Sequence, residues 1–481
     1  MSESYNLIPV FKSVLADMDT VLSCYLKIKK NYPESPSFIL ESVESQERIG
    51  RYSFIGFDPF LTFKSKGKKV FLSGVKNEEK QTENPFHELK SLMGEFKTPQ
   101  DIPLLRFYGG AIGHIGYDMV RFFEKLPEKN QNQLESYDSY FIFPKKILAF
   151  DHFTHKITLI QICYLQNQSD ASKEYDEALK EIARLETVLK TQVDYPQEKE
   201  FSSTEMVSSC TKEEFEGMVV RAKEYIQNGD IIQVVLSQRL KMATNASGIS
   251  LYRALRVVNP SPYLFFLEFP EYSLIGSSPE ILVRLENNEI EVRPIAGTRK
   301  RGKNDEEDKL FAEELLEDEK ERAEHVMLVD LGRNDVGRVS ETGSVRVTDL
   351  MIVEKYSHVM HIVSSVKGVL KSGKDAFDVF EATFPAGTLS GAPKIRAMEI
   401  IEELEKEKRE TYGGGVGYFG YNGNMDFCIA IRTMFKKGNE VFIQAGAGIV
   451  ADSSPESEYQ ETLNKAGAAL KAVKELNQIL G

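Results

Sequence analysis

The chain has 481 residues, 41% apolar and 28% charged, enough to bury one large core or two to three ordinary ones. A formal net charge of −13 argues against a general binder of nucleic acid or of anionic membranes, while leaving room for a local cationic pocket. Four scattered cysteines (Cys24, Cys163, Cys210, Cys428) lack metal-ligand spacing, which points to a reduced, cytosolic protein without disulfides.

No apolar run is long enough to cross a membrane. Met1-Ser-Glu-Ser-Tyr5 carries no basic-then-apolar pattern, so no secretory signal is expected. Short strands are predicted over 36–72. Ser37-Phe-Ile-Leu-Glu-Ser42 ends in a carboxylate and a hydroxyl; Tyr52–Phe57 and Phe60–Phe63 follow, split by Asp58-Pro59, a turn signal. A hairpin is predicted at 139–165, turning near His152 to His155. Leu179, Ile182, Leu185 and Leu189 recur at helical spacing, so 173–192 reads as an amphipathic helix. The polar stretch 193–210, with Pro196, separates an N-terminal half (1–192) from a C-terminal half (211–481).

Gly109-Gly-Ala-Ile-Gly-His-Ile-Gly-Tyr-Asp118 aligns with Gly413-Gly-Gly-Val-Gly-Tyr-Phe-Gly-Tyr-Asn422. Four glycines and one tyrosine match in ten positions, which favours duplication over two unrelated glycine-rich strands. One copy would then belong to a catalytic half and the other to a regulatory half.

Phe215–Asn228 is helical and stops at Gly229-Asp230. Ile231–Arg239 is an apolar strand carrying Gln233, Ser237 and Arg239. Pro262–Leu267 and Leu274–Glu280 are strands, the second ending in a turn that projects Glu280. Ile290–Pro294 leads into Ile295-Ala-Gly-Thr-Arg299. Runs of strands with helices between them predict an α+β fold with large, mainly antiparallel sheets. An acidic helix follows over 305–335, ended by Gly332-Arg-Asn-Asp335. Its Glu321 and Glu324 share one face, and Glu458 and Glu461 repeat that spacing in a later helix. Either pair alone is more often a solvated charged face; four carboxylates from two helices can hold a hard cation such as Mg²⁺.

Phe384-Pro-Ala-Gly-Thr-Leu-Ser-Gly-Ala-Pro-Lys-Ile-Arg396 is either a plain helix entry capped near Ser390 or Gly391, or a turn that aims backbone N–H groups at an anion. Arg432 sits inside the apolar strand Asp426–Met434 and needs an anionic partner, either a substrate carboxylate or a structural acid. The small residues of Val441-Phe-Ile-Gln-Ala-Gly-Ala-Gly448 let a ligand approach the backbone closely. An arginine, accessible amides and a cation site together describe a pocket for a small dianion.

Ile295-Ala-Gly-Thr298, Glu324-His-Val-Met-Leu-Val-Asp-Leu331 with Arg333-Asn-Asp335, His358-Val-Met-His361, Gly387-Thr-Leu-Ser-Gly-Ala-Pro-Lys394 and Gln444-Ala-Gly-Ala-Gly448 occur in this order. They resemble the chorismate-utilising enzymes, and among them the large subunit (component I) of anthranilate synthase. The resemblance covers nearly the whole chain and is strongest from about 210 to 470. It implies one globule of two antiparallel sheets sandwiched between helical layers. It also implies Mg²⁺-dependent amination of chorismate at C2, loss of the C4 hydroxyl and elimination of pyruvate to give anthranilate.

The resemblance further implies the roles of residues. Glu280 is the general acid, His361 assists removal of the C2 proton and Thr388 positions the intermediate. Substrate lies against Gln233, Gly297, Thr298, Tyr412, Arg432, Gly446, Ala447 and Gly448. Glu321, Glu324, Glu458 and Glu461 hold Mg²⁺. Tryptophan, as feedback inhibitor, meets Glu41, Ser42, Pro262, Tyr263, Leu264 and Tyr418. Relatives that add water carry a lysine base where Gln233 stands, so isochorismate and salicylate synthase activities are disfavoured. Aminodeoxychorismate synthases often carry lysine in place of Ala296. A tryptophan-sensing module without catalysis is the remaining alternative, and every catalytic position here is filled by a competent residue. No cysteine lies in the Gly-x-Cys-x-Gly elbow of a glutamine amidotransferase, so ammonia is expected from a separate amidotransferase subunit in a hetero-oligomer.

Overall fold

The computed structural model describes residues 5–42, 50–99, 106–165, 170–193, 200–355 and 359–480. The middle of the expected linker (194–199, with Pro196) and His358 lie outside the described residues. Every strand ladder among the described residues is antiparallel, and the strands join one hydrogen-bonded network with helices against it. This is the expected α+β plan, with the expected sheets linked edge to edge. No helix among the described residues is long and apolar enough to cross a membrane, and the four cysteines are free thiols.

The two halves of the chain interlock. Ser37–Glu41 pairs with Tyr263–Glu268, and Gly110–Ile115 pairs with Gly415–Gly420. Both large cores draw on both halves. One gathers Phe54, Phe107, Phe141, Phe419 and Phe427; the other packs Ile182 and Leu185 of the helix Ala171–Leu189 in a cluster with Leu251, Ala469 and Val473. The described end of the linker also belongs to the sheet, with Val207–Ser208 paired to Leu240 and Lys241.

The repeated glycine segments lie side by side. Gly113 pairs with Gly417, its counterpart in the alignment, and the ladder runs from Ile115–Gly415 to Gly110–Gly420. The glycines answer close backbone approach. A methyl carbon at Gly110 would stand 1.9 Å from the Phe419 carbonyl oxygen, and one at Gly414 would stand 2.1 Å from that of Ile115. Those two contacts are equivalent under the alignment. The segments therefore behave as two copies about a local two-fold axis.

Four local readings are corrected. Asp58-Pro59 is no turn: it lies inside one strand, Tyr52–Lys66, just ahead of a register shift between Pro59 and Leu61, with Asp58 at φ +54° and its carboxylate held by Lys146 at 2.5 Å. The acidic helix is two helices, Asp305–Glu317 and Glu319–Gly337. Asp318 breaks it, accepting from the N–H groups of Lys320 and Glu321 and pairing with Arg299 at 2.7 Å. Residues 332–335 continue the second helix, because Lys394 binds the buried Asp335 carboxylate at 2.7 Å. Arg432 is not within a strand. It sits at φ +52° in the corner between Met425–Ile429 and Thr433–Lys437.

Candidate active site

Glu280 occupies the link between the strands Ser273–Ser278 and Ile281–Glu286, where its carbonyl accepts from the Ile429 N–H at 3.0 Å. Its buried carboxyl accepts from Thr388 Oγ1 at 2.9 Å. Burial pushes the carboxyl up to about 7, against the downward pull of the Thr388 hydrogen bond and of the charges on Lys465 and Arg432. A carboxyl so tuned is partly protonated at neutral pH, as a general acid must be. Thr388 lies in the short turn Gly387–Leu389. Leu331 of the helix Glu319–Gly337 packs against this turn, since a methyl carbon at Gly387 would stand 2.0 Å from Leu331 Cδ2. The next helix, Lys394–Leu404, starts at Pro393 without a side-chain cap, so neither Ser390 nor Gly391 caps it.

The Arg432 guanidinium makes no hydrogen bond or ion pair among the described residues. Burial pulls its pKa down, opposed by Tyr412, Glu461 and Glu280. A desolvated, unpaired cation is a strong demand for an anion. The strand Glu440–Ile449 brings Gly446, Ala447 and Gly448 opposite Ser237, Leu236 and Val235. Its glycines leave room for polar side chains. The Tyr412 hydroxyl stands 2.8 Å from where a Gly446 methyl carbon would be, and Gln233 Nε2 stands 2.8 Å from that of Gly448. Gln233 Nε2 donates to Glu324 Oε1 at 2.9 Å.

His361, on the strand Val359–Val369, places Nδ1 2.8 Å from the Gly297 carbonyl oxygen and 3.1 Å from Thr298 Oγ1. A carbonyl only accepts, so Nδ1 carries the proton and the lone pair of the neutral ring is on Nε2. Burial lowers the His361 pKa, opposed by the Gly297 hydrogen bond, so the ring is a neutral proton acceptor at pH 7. A methyl carbon at Gly297 (φ +67°) would come within 3.1 Å of Glu321 Oε2, which ties this histidine to the first carboxylate pair.

The carboxylate pairs carry strain of charge. Burial raises the pKa of Glu321 and of Glu458, and Glu324 and Glu461 push the same way within each pair. Arg299 donates to Glu321 at 3.3 Å, and Lys465 meets Glu461 at 2.5 Å. Among the described residues no three acidic, histidine or cysteine side chains stand close enough to hold a metal, so the four glutamates are not drawn into one cluster. Their chemistry still fits a hard cation: like charges sit in pairs of partly exposed carboxylates, with oxygen donors only.

A second cavity of about 290 Å³ is lined by all six residues expected to meet an inhibitor: Glu41, Ser42, Pro262, Tyr263, Leu264 and Tyr418. Glu41 is already satisfied, since Tyr252 donates to it and Arg256 binds both its oxygens at 3.1 Å. Ser42 Oγ is buried without a hydrogen-bond partner among the described residues. The cavity also holds a polar floor: Asp426 accepts from Arg106, from Arg284 Nε at 3.1 Å and from the Tyr263 hydroxyl at 2.9 Å.

Residues 35–471 match the chorismate binding enzyme family. The chain belongs to that family. It is similar to anthranilate synthase component 1 of Aquifex aeolicus, 49% identical over 98% of this chain and 96% of that protein. Component 1 of Acetivibrio thermocellus is 47% identical over 100% and 98%. Among solved structures, anthranilate synthase component I from Streptococcus pneumoniae superposes with a TM-score of 0.78 at 38% identity, covering 95% of this chain and 98% of that one. The menaquinone-specific isochorismate synthase from Escherichia coli has a TM-score of 0.74 at 20% identity, covering 98% and 95%; that likeness concerns the fold alone.

Within this chorismate-binding chain, two links that the sequence reading assigned separately are direct: Thr388 with Glu280, and Gln233 with Glu324. Lys465 was missed. It bridges Glu461 and the Gly446 carbonyl, the latter at 3.1 Å, and its place four residues after Glu461 on one helical face was the available signal. Arg106, Arg284 and Asp426 were missed at the second cavity. Asp426 alone gave a hint, as an acid opening an apolar strand.

Proposed function

We propose that the chain is the chorismate-aminating component of a cytoplasmic anthranilate synthase, with tryptophan as feedback inhibitor. The observation that carries the reading is Arg432, desolvated and without an ionic partner among the described residues, beside the protonatable Glu280. Near-half identity to component 1 enzymes along the whole chain supports the same reading.

Arg432 and the backbone of Gly446 to Gly448 bind a chorismate carboxylate, and Tyr412 donates a hydrogen bond to the substrate. Gly297 and Thr298 line the ring. Neutral ammonia attacks C2, the ring double bonds shift, and the C4–O bond breaks. Glu280 gives its proton to the departing hydroxyl, which leaves as water; the proton lost from nitrogen goes to solvent and restores the acid. His361 Nε2 then takes the C2 proton. The C3–O bond breaks, enolpyruvate departs and is protonated to pyruvate, and the ring becomes aromatic. Glu321, Glu324, Glu458 and Glu461 would hold Mg²⁺, which supplies positive charge to the ring carboxylate.

Gln233 cannot deprotonate water and Ala296 offers no amine, so ammonia is the nucleophile. A separate glutamine amidotransferase subunit delivers it in a hetero-oligomer. Incubation with chorismate, Mg²⁺ and ammonium, followed by product separation, tests the reading. Anthranilate is the expected product. A product aminated at C4 instead would establish the aminodeoxychorismate alternative, and a water adduct would establish the isochorismate alternative.

A further inference from the structure

Arg409 is the largest fully buried side chain among the described residues, and none of the roles above uses it. Its Nε and Nη2 grip Glu405 at 2.9 and 2.7 Å. Nη1 donates to the Leu389 carbonyl at 2.5 Å, and Nη2 also donates to the Val235 carbonyl at 2.7 Å. The guanidinium carbon lies 4.8 Å from the Tyr117 ring centroid and 5.6 Å from that of Tyr412. Glu405 in turn accepts from the Ser237 N–H and hydroxyl, both at 2.8 Å.

Three of the segments tied together here border the substrate pocket. Leu389 follows Thr388. Val235 and Ser237 pair in the ladder with Gly448 and Gly446. Tyr412 is itself a substrate contact. Tyr117 comes from the N-terminal glycine repeat, and its N–H donates to the Glu410 carbonyl at 2.7 Å. Stability alone does not account for such a pair, because well-packed apolar residues of similar volume commonly match or exceed a buried ion pair. What the pair adds is direction: four hydrogen bonds in a planar fork fix three separate segments relative to one another.

We propose that Arg409, with Glu405, is a positioning residue that sets Tyr412, the Thr388 turn and the Gln233–Ala243 strand in register to receive chorismate. The proposal rests on the anthranilate synthase reading, so turnover by the parent enzyme is measured first. A parent that forms no anthranilate overturns that reading and this one with it.

The test compares the parent with Arg409→Lys and with the doubly neutral Glu405→Gln/Arg409→Met, each checked for a cooperative melt. Misplacement by about 1 Å costs on the order of a hundredfold in a well-organised site. We expect the chorismate KM of the double variant to rise about tenfold or more, with the ammonium KM changed less than about twofold. Arg409→Lys keeps the charge and reaches fewer of the carbonyls, so its chorismate KM should fall between the two. A folded double variant with a parental chorismate KM overturns the proposal, and so do chorismate and ammonium KM values that rise together, which mean general loosening. If the double variant does not fold, Arg409→Lys decides: a selective rise in chorismate KM supports the proposal, and none overturns it.

Discussion

Replacing Thr388 by valine removes one hydroxyl and keeps the side-chain volume, so it isolates the 2.9 Å hydrogen bond on Glu280. Thr388 donates to the carboxylate and thereby favours the ionised form, pulling against the burial that holds Glu280 near 7. A hydrogen bond to a charged group contributes about 1.5–3 kcal/mol, and one pKa unit corresponds to about 1.4 kcal/mol. Loss of the bond should therefore raise the Glu280 pKa by roughly one to two units. The general acid must be protonated, so kcat/KM for chorismate falls as pH rises through the Glu280 pKa; the valine variant should hold its rate to a pH about one unit higher. At about one unit above 7, the protonated fraction changes from roughly a tenth to roughly a half. The assay follows anthranilate fluorescence across pH at a constant concentration of neutral ammonia, so that ammonium titration does not distort the limb. A descending limb that stays in place, or moves to lower pH, would refute the reasoning.

Three further outcomes are expected. Ser42→Phe removes the unpartnered hydroxyl, fills part of the second cavity and should weaken tryptophan binding by about tenfold or more while sparing the uninhibited rate. The chain contains no tryptophan, so the ligand's own fluorescence reports binding directly; equal affinity in variant and parent would count against this assignment. Glu324→Gln keeps an acceptor for Gln233 and removes one charge; calorimetry should show Mg²⁺ affinity reduced by at least about tenfold with an unchanged melt, and unaltered affinity would remove Glu324 from the metal set. His361→Ala should slow pyruvate release by roughly a hundredfold or more and amination far less, so mass analysis of a quenched reaction should find an aminated, pyruvyl-bearing species. If that species is missing while overall turnover falls, His361 does not act in the second step.

What was legible in the sequence was what short-range periodicity writes. Glu321 with Glu324, and Glu458 with Glu461, are neighbours because a helix turns every 3.6 residues, whatever surrounds it. The strands over 139–165 and 440–449 follow from local pattern in the same way, and the glycine repeat could be aligned by eye. Wrong local readings came where a distant partner reversed a local preference. Asp335 reads as a helix stop until Lys394 covers it, and Asp58-Pro59 reads as a turn until Lys146 and the neighbouring strand hold it within one long strand.

The tertiary structure alone decided the chemistry of the site. Thr388 and Glu280 are 108 residues apart, and no pattern within either segment predicts that one tunes the other. The raised pKa of Glu280 and the lowered pKa of Arg432 are consequences of desolvation, which exists only once other segments exclude water. The second cavity likewise draws its walls from residues near 41, 106, 263, 284, 418 and 426. The pairing of Gly113 with Gly417 shows the two levels meeting. The sequence specified glycines at matching positions, and the fold supplied the reason: a methyl carbon at Gly113 would stand 1.8 Å from the Tyr140 carbonyl oxygen, and one at Gly417 would stand 2.0 Å from that of Asp426, on the strands that flank the pair.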